Sequence, residues 1–333
     1  MYKKNKKVNW GVIGTAAIAE KQTLPAMLKA ENANLYAIAG RNPDKVFMFT
    51  ERFGFEKSYS SYNELLDDPN VDAVYIALPN HLHKEWIMKA AERKKHILCE
   101  KPVTPTLEDA KAVYEKCQEE GVLLMEGFAY LHSEIICSLT DCIRSGTIGE
   151  IKLIEAAFFI NEPASDNIRL NKETYGGSLY DLGCYNISLI LRIMDTLPNS
   201  VKAISYYTDH GVDGISSILM EFPGRAHAAS VCGMCAGQRA DRFFVYGTKG
   251  RIEAFIPYNA DGRQSYTIVH KDETKTVQAE VTNNYQLELE QFGRCIQDKE
   301  TPWVSEDFSI RVSEVLEKVL DEIDYKSGGR NAD

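Results

Sequence analysis

No apolar run in this 333-residue chain approaches the ~18 residues that a membrane-spanning helix needs. No apolar segment of the kind found in secretory leaders follows the N-terminal lysines, so neither a membrane span nor a leader is expected. Positive charge is outnumbered: 38 Lys and Arg against 48 Asp and Glu leave a net charge of −10. That balance argues against nucleic acid as the main partner, because binding a phosphate backbone needs a basic face. The densest basic run, Lys3, Lys4, Lys6 and Lys7, leads into a strand and reads as a solvated end. Paired cysteine motifs are also missing. The 8 cysteines are scattered, and Cys232-Gly-Met-Cys235 has neither a second pair nor a histidine cluster downstream. This is the usage of reduced thiols in a cytoplasmic protein, and no metal site is expected. His81-Leu-His83 has no third ligand nearby in sequence and is equally poor metal-binding material.

The length exceeds the ~250 residues at which one core stops growing, so two domains are expected. Their ranges are read as 1–125 and 126–333. The first range alternates strand and helix: strands at Val8 to Ile13, Leu35 to Ala39, Val71 to Leu78, His96 to Cys99 and Val122 to Met125. Helices are expected up to about Ala30, from Asn42-Pro43, over Glu85 to Arg93, and over Thr106 to Glu120. Continuous apolar strands alternating with helices predict an α/β, doubly wound parallel sheet with both faces covered. Ligands of such sheets bind at the carboxyl ends of the strands. The segments that matter are therefore those after each strand: Gly14, Gly40-Arg41, Pro79-Asn80 and Glu100-Lys101-Pro102.

The turn after the first strand reads Gly14-Thr15-Ala16-Ala17-Ile18-Ala19. It keeps the first glycine of the dinucleotide fingerprint, which makes the tight turn. Alanine stands at the second place and at the third, where helix–strand packing already accepts it. The second strand ends in Gly40-Arg41-Asn42, without the acid that would accept the ribose 2′-OH of NAD. A guanidinium beside a helix N-terminus suits a 2′-phosphate instead, which predicts NADP, with NAD still possible.

At Glu100-Lys101-Pro102 the chain resembles the Gfo/Idh/MocA oxidoreductase family, and the resemblance covers nearly the whole chain. The resemblance runs through Trp10-Gly-Val-Ile-Gly-Thr15, Gly40-Arg41, Pro79-Asn80-His-Leu-His83 and Glu100-Lys-Pro102. It continues through Met125-Glu-Gly-Phe128, Gly176-Gly-Ser-Leu-Tyr-Asp-Leu-Gly-Cys-Tyr185 and Gly247-Thr-Lys-Gly250. It implies a Rossmann domain followed by an α/β domain with a large open, mainly antiparallel sheet, often used to dimerise. Strand-like segments agree: Glu150 to Ile160, Val201 to Tyr207, Ile215 to Phe222, Ala226 to Cys232, Arg242 to Tyr246 and Tyr266 to His270. Asn284 to Asp298 and Asp307 to Tyr325 read as closing helices.

The resemblance implies a catalytic lysine at Lys101, an aspartate at Asp181 and an acid/base at Tyr185. Tyrosine at that last place is similar to the glucose-fructose oxidoreductase and dihydrodiol dehydrogenase branch, as is Arg169. Substrate contacts are expected from Arg169 and Asp181. Cofactor contacts are expected from Gly14, Thr15, Ala16 and Ile18 in the turn and from Arg41. Pro79, Asn80, His83, Glu100 and Lys101 complete that set. Departures are Ala16, Gly40 where NADP members often carry serine, and Tyr130-Leu-His-Ser-Glu134 in place of an aromatic-Arg/His-Pro run. Each residue also has a bland reading. Ser178 and Asp181 fit a capping box, Tyr185 fits a core aromatic, and Lys101 fits a strand-end charge.

The implied activity is hydride transfer between nicotinamide and a carbinol or carbonyl of a small polyhydroxylated substrate, a sugar or related diol. The alternative is a catalytically silent sensor that binds NADP and regulates a partner. A homodimer or tetramer is expected, because an open sheet would otherwise leave one face bare.

Overall fold

The computed structural model describes residues 7–165, 167–271 and 273–327. Lys3, Lys4 and Lys6 of the N-terminal basic run lie outside them. By compactness the chain divides into two units, 1–104 with 108–132 and 283–309, and 105–107 with 133–282 and 310–333.

The first unit is built on a six-stranded sheet. Its strands are β1 (Val8–Ile13), β2 (Ala33–Ala39), β3 (Lys57–Tyr59), β4 (Ala73–Ile76), β5 (His96–Glu100) and β6 (Leu124–Gly127). Every pairing is parallel, in the order β3-β2-β1-β4-β5-β6. Trp10, Val12, Ile38, Val74 and Ile97 have no exposed surface, as expected of strands covered on both faces. The chain winds one way from β1 to β3 and the other way from β4 to β6. The switch point falls between β1 and β4, where such sheets open a ligand crevice. Helices start where the sequence marks them. Asn42 accepts the Lys45 amide ahead of the helix Pro43–Phe53, and Ser61 and Glu64 form a reciprocal capping box.

One assignment differs from the two consecutive ranges read from sequence. Residues 283–309 return to the first unit after the second sheet is complete. The reason is packing: Phe292 of the helix Asn284–Asp298 lies 5.0 Å from the Trp10 ring, and the Glu290 carbonyl accepts Asn32 Nδ2 at 2.8 Å.

The second unit carries an eight-stranded sheet. Its strands are β7 (Ile151–Phe159), β8 (Ser200–Tyr207), β9 (Asp213–Glu221), β10 (His227–Gly233), β11 (Ala240–Gly247), β12 (Arg251–Ala254), β13 (Gly262–His270) and β14 (Glu273–Val281). The order is β14-β13-β12-β11-β7-β10-β9-β8, antiparallel except between β7 and β10. One face buries Ile154, Phe158, Met220, Ala228 and Val245 beneath the helices Glu134–Arg144 and Cys184–Met194. On the other face Ile204, Leu219 and Tyr206 stand 76%, 63% and 60% exposed.

Candidate active site

In the first unit the site begins at Gly14. Its φ is +106°, and a Cβ placed there would sit 2.5 Å from the Ala77 carbonyl of the neighbouring strand end. Only glycine closes this turn. The chain then enters a π-helical turn, Ala19–Thr23, before the regular helix Leu24–Lys29. Ala19 is fully buried, which explains why a small residue suffices at the third fingerprint position. Thr15, Ala16 and Ile18 are half-buried along the same turn. Arg41 is exposed at the end of β2, directly before a capped helix N-terminus. Its guanidinium is near the Tyr62 phenol; burial pushes that phenol up and the Arg41 charge pulls it back. Tyr62 in turn packs edge-on to Trp86 at 4.8 Å.

At the ends of β4 and β5 the chain is held together by a buried histidine. His83 is fully buried, with Nε2 2.8 Å from the Leu78 carbonyl and Nδ1 2.8 Å from the Pro102 carbonyl. Burial lowers its pKa and the two carbonyls oppose the shift. The two carbonyls flank the ring, a neutral imidazole donating to one of them, so His83 ties the loop after β4 to the segment after β5. Pro79, Asn80 and Lys101 are half-buried. Glu100 accepts the Tyr75 hydroxyl at 2.6 Å, and Tyr75 receives Thr23 Oγ1 at 2.9 Å.

Glu126 had a place in a quoted motif but no assigned role. It is almost completely buried, and its Oε1 accepts the Val103 amide, two residues after Lys101, at 2.7 Å. Its other oxygen has no hydrogen-bond partner among the described residues, and neither have the buried hydroxyls of Tyr114 and Ser309. Burial pushes the carboxyl up to about 7, against the Ser309 hydroxyl, the Val103 amide and the charge of Lys101. Glu126 thus braces the segment that presents Lys101.

In the second unit the Gly176-Gly177 turn leads into a π-helical turn, Leu179–Gly183, and then the helix Cys184–Met194. π-helical turns are rare and concentrate at functional sites. The turn carries Asp181, and the helix carries Tyr185. Asp181 and Tyr185 are four residues apart, the first in the i→i+5 turn and the second in the α-helix that follows it. The capping-box reading of Ser178 and Asp181 is not realised. Ser178 Oγ donates to Asp213 Oδ2, while Asp181 Oδ2 accepts Arg169 Nε at 2.5 Å. The Arg169 carbonyl also accepts the Gly177 amide at 2.8 Å, so the arginine is fixed by backbone as well as side chain.

Tyr185 is half-buried and therefore not a core aromatic. It stands edge-on to Phe158 at 5.5 Å and 5.0 Å from the Tyr258 ring. Tyr258 donates to Asn186 Oδ1 at 2.7 Å, and Asn186 is anchored in turn on Ser230 and the Val231 carbonyl. The Arg239 guanidinium lies 5.4 Å over the Phe158 ring and is paired with Asp241 at 2.7 Å. No spacing rule pointed to Phe158, Tyr258 or Asp213, which come from strands and loops far from Tyr185 in sequence. Among the described residues no group of three or more His, Cys, Asp or Glu is arranged to hold a metal ion. The eight cysteines are unbridged, and no described helix is long and apolar enough to cross a membrane.

A doubly wound unit with a glycine turn at its switch point, joined to a sheet unit bearing an Arg–Asp pair and a half-exposed tyrosine, defines a class: nicotinamide-dinucleotide oxidoreductases. Comparison with known proteins agrees. Residues 8–128 match the oxidoreductase family with an NAD-binding Rossmann fold, and residues 138–253 match the GFO/IDH/MocA C-terminal domain. A D-xylose 1-dehydrogenase (NADP(+)) of Haloferax volcanii is 32% identical over 316 residues, covering 94% of this chain and 96% of the relative. A trans-1,2-dihydrobenzene-1,2-diol dehydrogenase of Mus musculus is 28% identical over 252 residues, 74% of each chain. Among solved structures, a Tyr-to-Phe variant of a 3-ketoreductase from Actinomadura kijaniata, in complex with TDP-benzene and NADP, superposes with a TM-score of 0.89. It is 29% identical and covers 95% of this chain and 98% of its own. The chain belongs to the Gfo/Idh/MocA family and is an NAD(P)-dependent oxidoreductase.

Proposed function

We propose that the enzyme interconverts a carbinol and a carbonyl on a sugar or related diol, preferring NADP over NAD, with Tyr185 moving the proton. The observation that carries this reading is the half-exposed Tyr185 following an Asp181 that is already oriented by Arg169. When bound, the nicotinamide ring supplies or takes the hydride. The chain's own residues bind, orient and move the proton.

Residues of the first unit fit the dinucleotide by their chemistry. The Gly14 turn at the switch point, with Thr15, Ala16 and Ile18 behind it, leads a helix N-terminus toward the pyrophosphate position. Arg41, beside a second helix N-terminus, offers a fork of donors to a 2′-phosphate. Pro79, Asn80, Glu100 and Lys101 line the remaining strand ends. In the second unit, Asp181 and Arg169 bind substrate hydroxyls. Tyr185 gives its proton to a carbonyl oxygen, or takes one from a carbinol. An isolated phenol has a pKa near ~10, so this step needs a cation close to the phenol. Lys101 is assigned that part.

The relatives support the substrate class: one is named for D-xylose and NADP(+), another for a diol, and the ketoreductase has been solved with NADP. Its solved forms include lysine-to-alanine and tyrosine-to-phenylalanine variants, the same two residue types proposed here as catalytic. The chain is assigned to the cytosol, in keeping with its unbridged thiols. We assign assembly to the bare face of the second sheet, where Ile204, Tyr206 and Leu219 are exposed, giving a homodimer or a tetramer of dimers. Turnover of a panel of aldoses, polyols, diols and dicarbonyls with NADP(H) tests the function. Loss of reduced-cofactor absorbance with none of them refutes it.

A further inference from the structure

The chemistry above leaves one wholly buried carboxylate of the second unit without a part. Asp213 opens β9 and has no exposed surface. Its Oδ2 accepts hydrogen bonds from Ser178 Oγ at 2.6 Å, the Leu179 amide at 2.8 Å and Ser216 Oγ at 2.9 Å. Two of these donors belong to the start of the π-helical turn that carries Asp181 and leads into Tyr185. A carboxylate is well placed there, because the first amides of a helix are unpaired and its N-terminus is positive. Gly177 makes the approach possible: its φ is +108°, and a Cβ built on it would collide with Asp213 Oδ1.

We propose that Asp213 is a positioning residue for the reaction, fixing the start of the turn and thereby the placement of Asp181 and Tyr185. The proposal rests on the assignment of those two residues to the chemistry. A neutral cap would hold a purely structural helix start without burying a charge. The ionisable groups facing Asp213 are all acids: Tyr180 on the turn, Tyr207 on β8, Tyr325 near the C-terminus, and Cys232 and Cys235 on and after β10. Each is pushed up and stays protonated near neutrality. The charged form of Asp213 is therefore held by hydrogen bonds from Ser178, Ser216 and backbone amides. Burial pushes the carboxyl up to about 6, and those bonds hold it back from rising further. Protonation removes the negative charge that the Ser178 and Ser216 hydroxyls and the Leu179 amide hold on Oδ2 and that offsets the positive helix start, which loosens that start. Turnover should accordingly fall as the pH drops through about 6.

The test combines kinetics with a probe that needs no substrate. In protein made with 3-fluorotyrosine, the ¹⁹F resonance of Tyr185, identified by its absence in Y185F, is followed from pH 5 to 9. The wild type should show a transition near pH 6 that is missing in D213N. In parallel, kcat/KM of the wild type should lose activity through the same range, and D213N should lack that limb. D213A should lower kcat on the order of a hundredfold, the usual effect of misplacing a reacting group. NADPH affinity should stay within about twofold in both variants, because the dinucleotide is bound by the first unit. A Tyr185 resonance that ignores pH in the wild type overturns the proposal, and this measurement needs no Asp213 variant to fold. Wild-type kcat and an unchanged acid limb in D213N would also overturn it. If no substrate turns over but the resonance titrates as expected, the positioning stands and the proposed activity fails.

Discussion

Replacing Glu126 by glutamine separates the charge of this buried group from its shape. The Val103 amide needs an acceptor at Oε1, and a glutamine carbonyl supplies one in the same place. Only the ionisation is lost. Burial raises the Glu126 carboxyl from the ordinary 4.5 to about 7. That difference corresponds to roughly 3 kcal/mol of preference of the fold for the protonated form. Because the group is fully buried, solvent screening takes little from this figure. The sign follows from linkage. Stability from a raised acid pKa is fully present below about pH 4.5 and is lost as the pH rises through about 7. E126Q should therefore gain on the wild type across that window. At pH 8 it should be more stable by up to ~3 kcal/mol, and at pH 4.5 the difference should vanish or reverse by ~1 kcal/mol. The assay is urea unfolding followed by tryptophan fluorescence. Trp10, Trp86 and Trp303 all belong to the first unit, as Glu126 does, so the signal reports the right part of the chain. A stability difference independent of pH would refute the reasoning, as would a wild type that gains on E126Q above pH 7.

Arg41→Ala should weaken NADPH by roughly ten- to a hundredfold and leave NADH nearly unchanged, the loss expected for one charge-assisted phosphate contact. Equal dissociation constants for the two cofactors in the wild type would contradict that role. Tyr185→Phe should lower kcat by about two to four orders of magnitude with NADPH affinity almost unchanged, as for a lost general acid–base group. Near-normal turnover would assign the proton to another residue. Sedimentation should show a dimer or larger species, and L219E with I204E should shift it toward monomer by placing charge on the bare sheet face. A wild type that is monomeric at micromolar concentration would remove that interface.

The fold was legible in the sequence wherever apolar strands are continuous and helix starts are marked. The runs at β1 and β4 and the Asn42-Pro43 cap needed no tertiary information. What escaped were elements held by their neighbours. β14 is Glu-Thr-Lys-Thr-Val-Gln-Ala-Glu-Val, an exposed edge strand whose lysine and glutamates suit an edge and hide it from hydrophobic patterning. β3 is three residues long and polar, stabilised as a strand by its pairing to β2. The return of the helix Asn284–Asp298 to the first unit depends on Phe292 meeting Trp10, a contact no local pattern encodes.

The site divides in the same way. Gly14 and Arg41 stand out by residue type at a strand end, whereas Lys101 and Asp181 are singled out by the family resemblance. The pairing of Asp181 with Arg169 could not be read from spacing, and neither could the flanking of the His83 ring by two carbonyls. Glu126 and Asp213 were invisible for a shared reason. Each is a carboxylate whose meaning lies in its burial and in the backbone amide it accepts, and burial of an acid is a property of the fold.

The account's central claim is tested most directly by following the transferred hydrogen. NADPH carrying deuterium at nicotinamide C4 is mixed with the best carbonyl substrate, and the product is analysed by mass spectrometry. One deuterium should appear at the new carbinol carbon with the wild type, and its rate of appearance should collapse in Y185F. Product without deuterium at that carbon, or label exchanged into water, would contradict it.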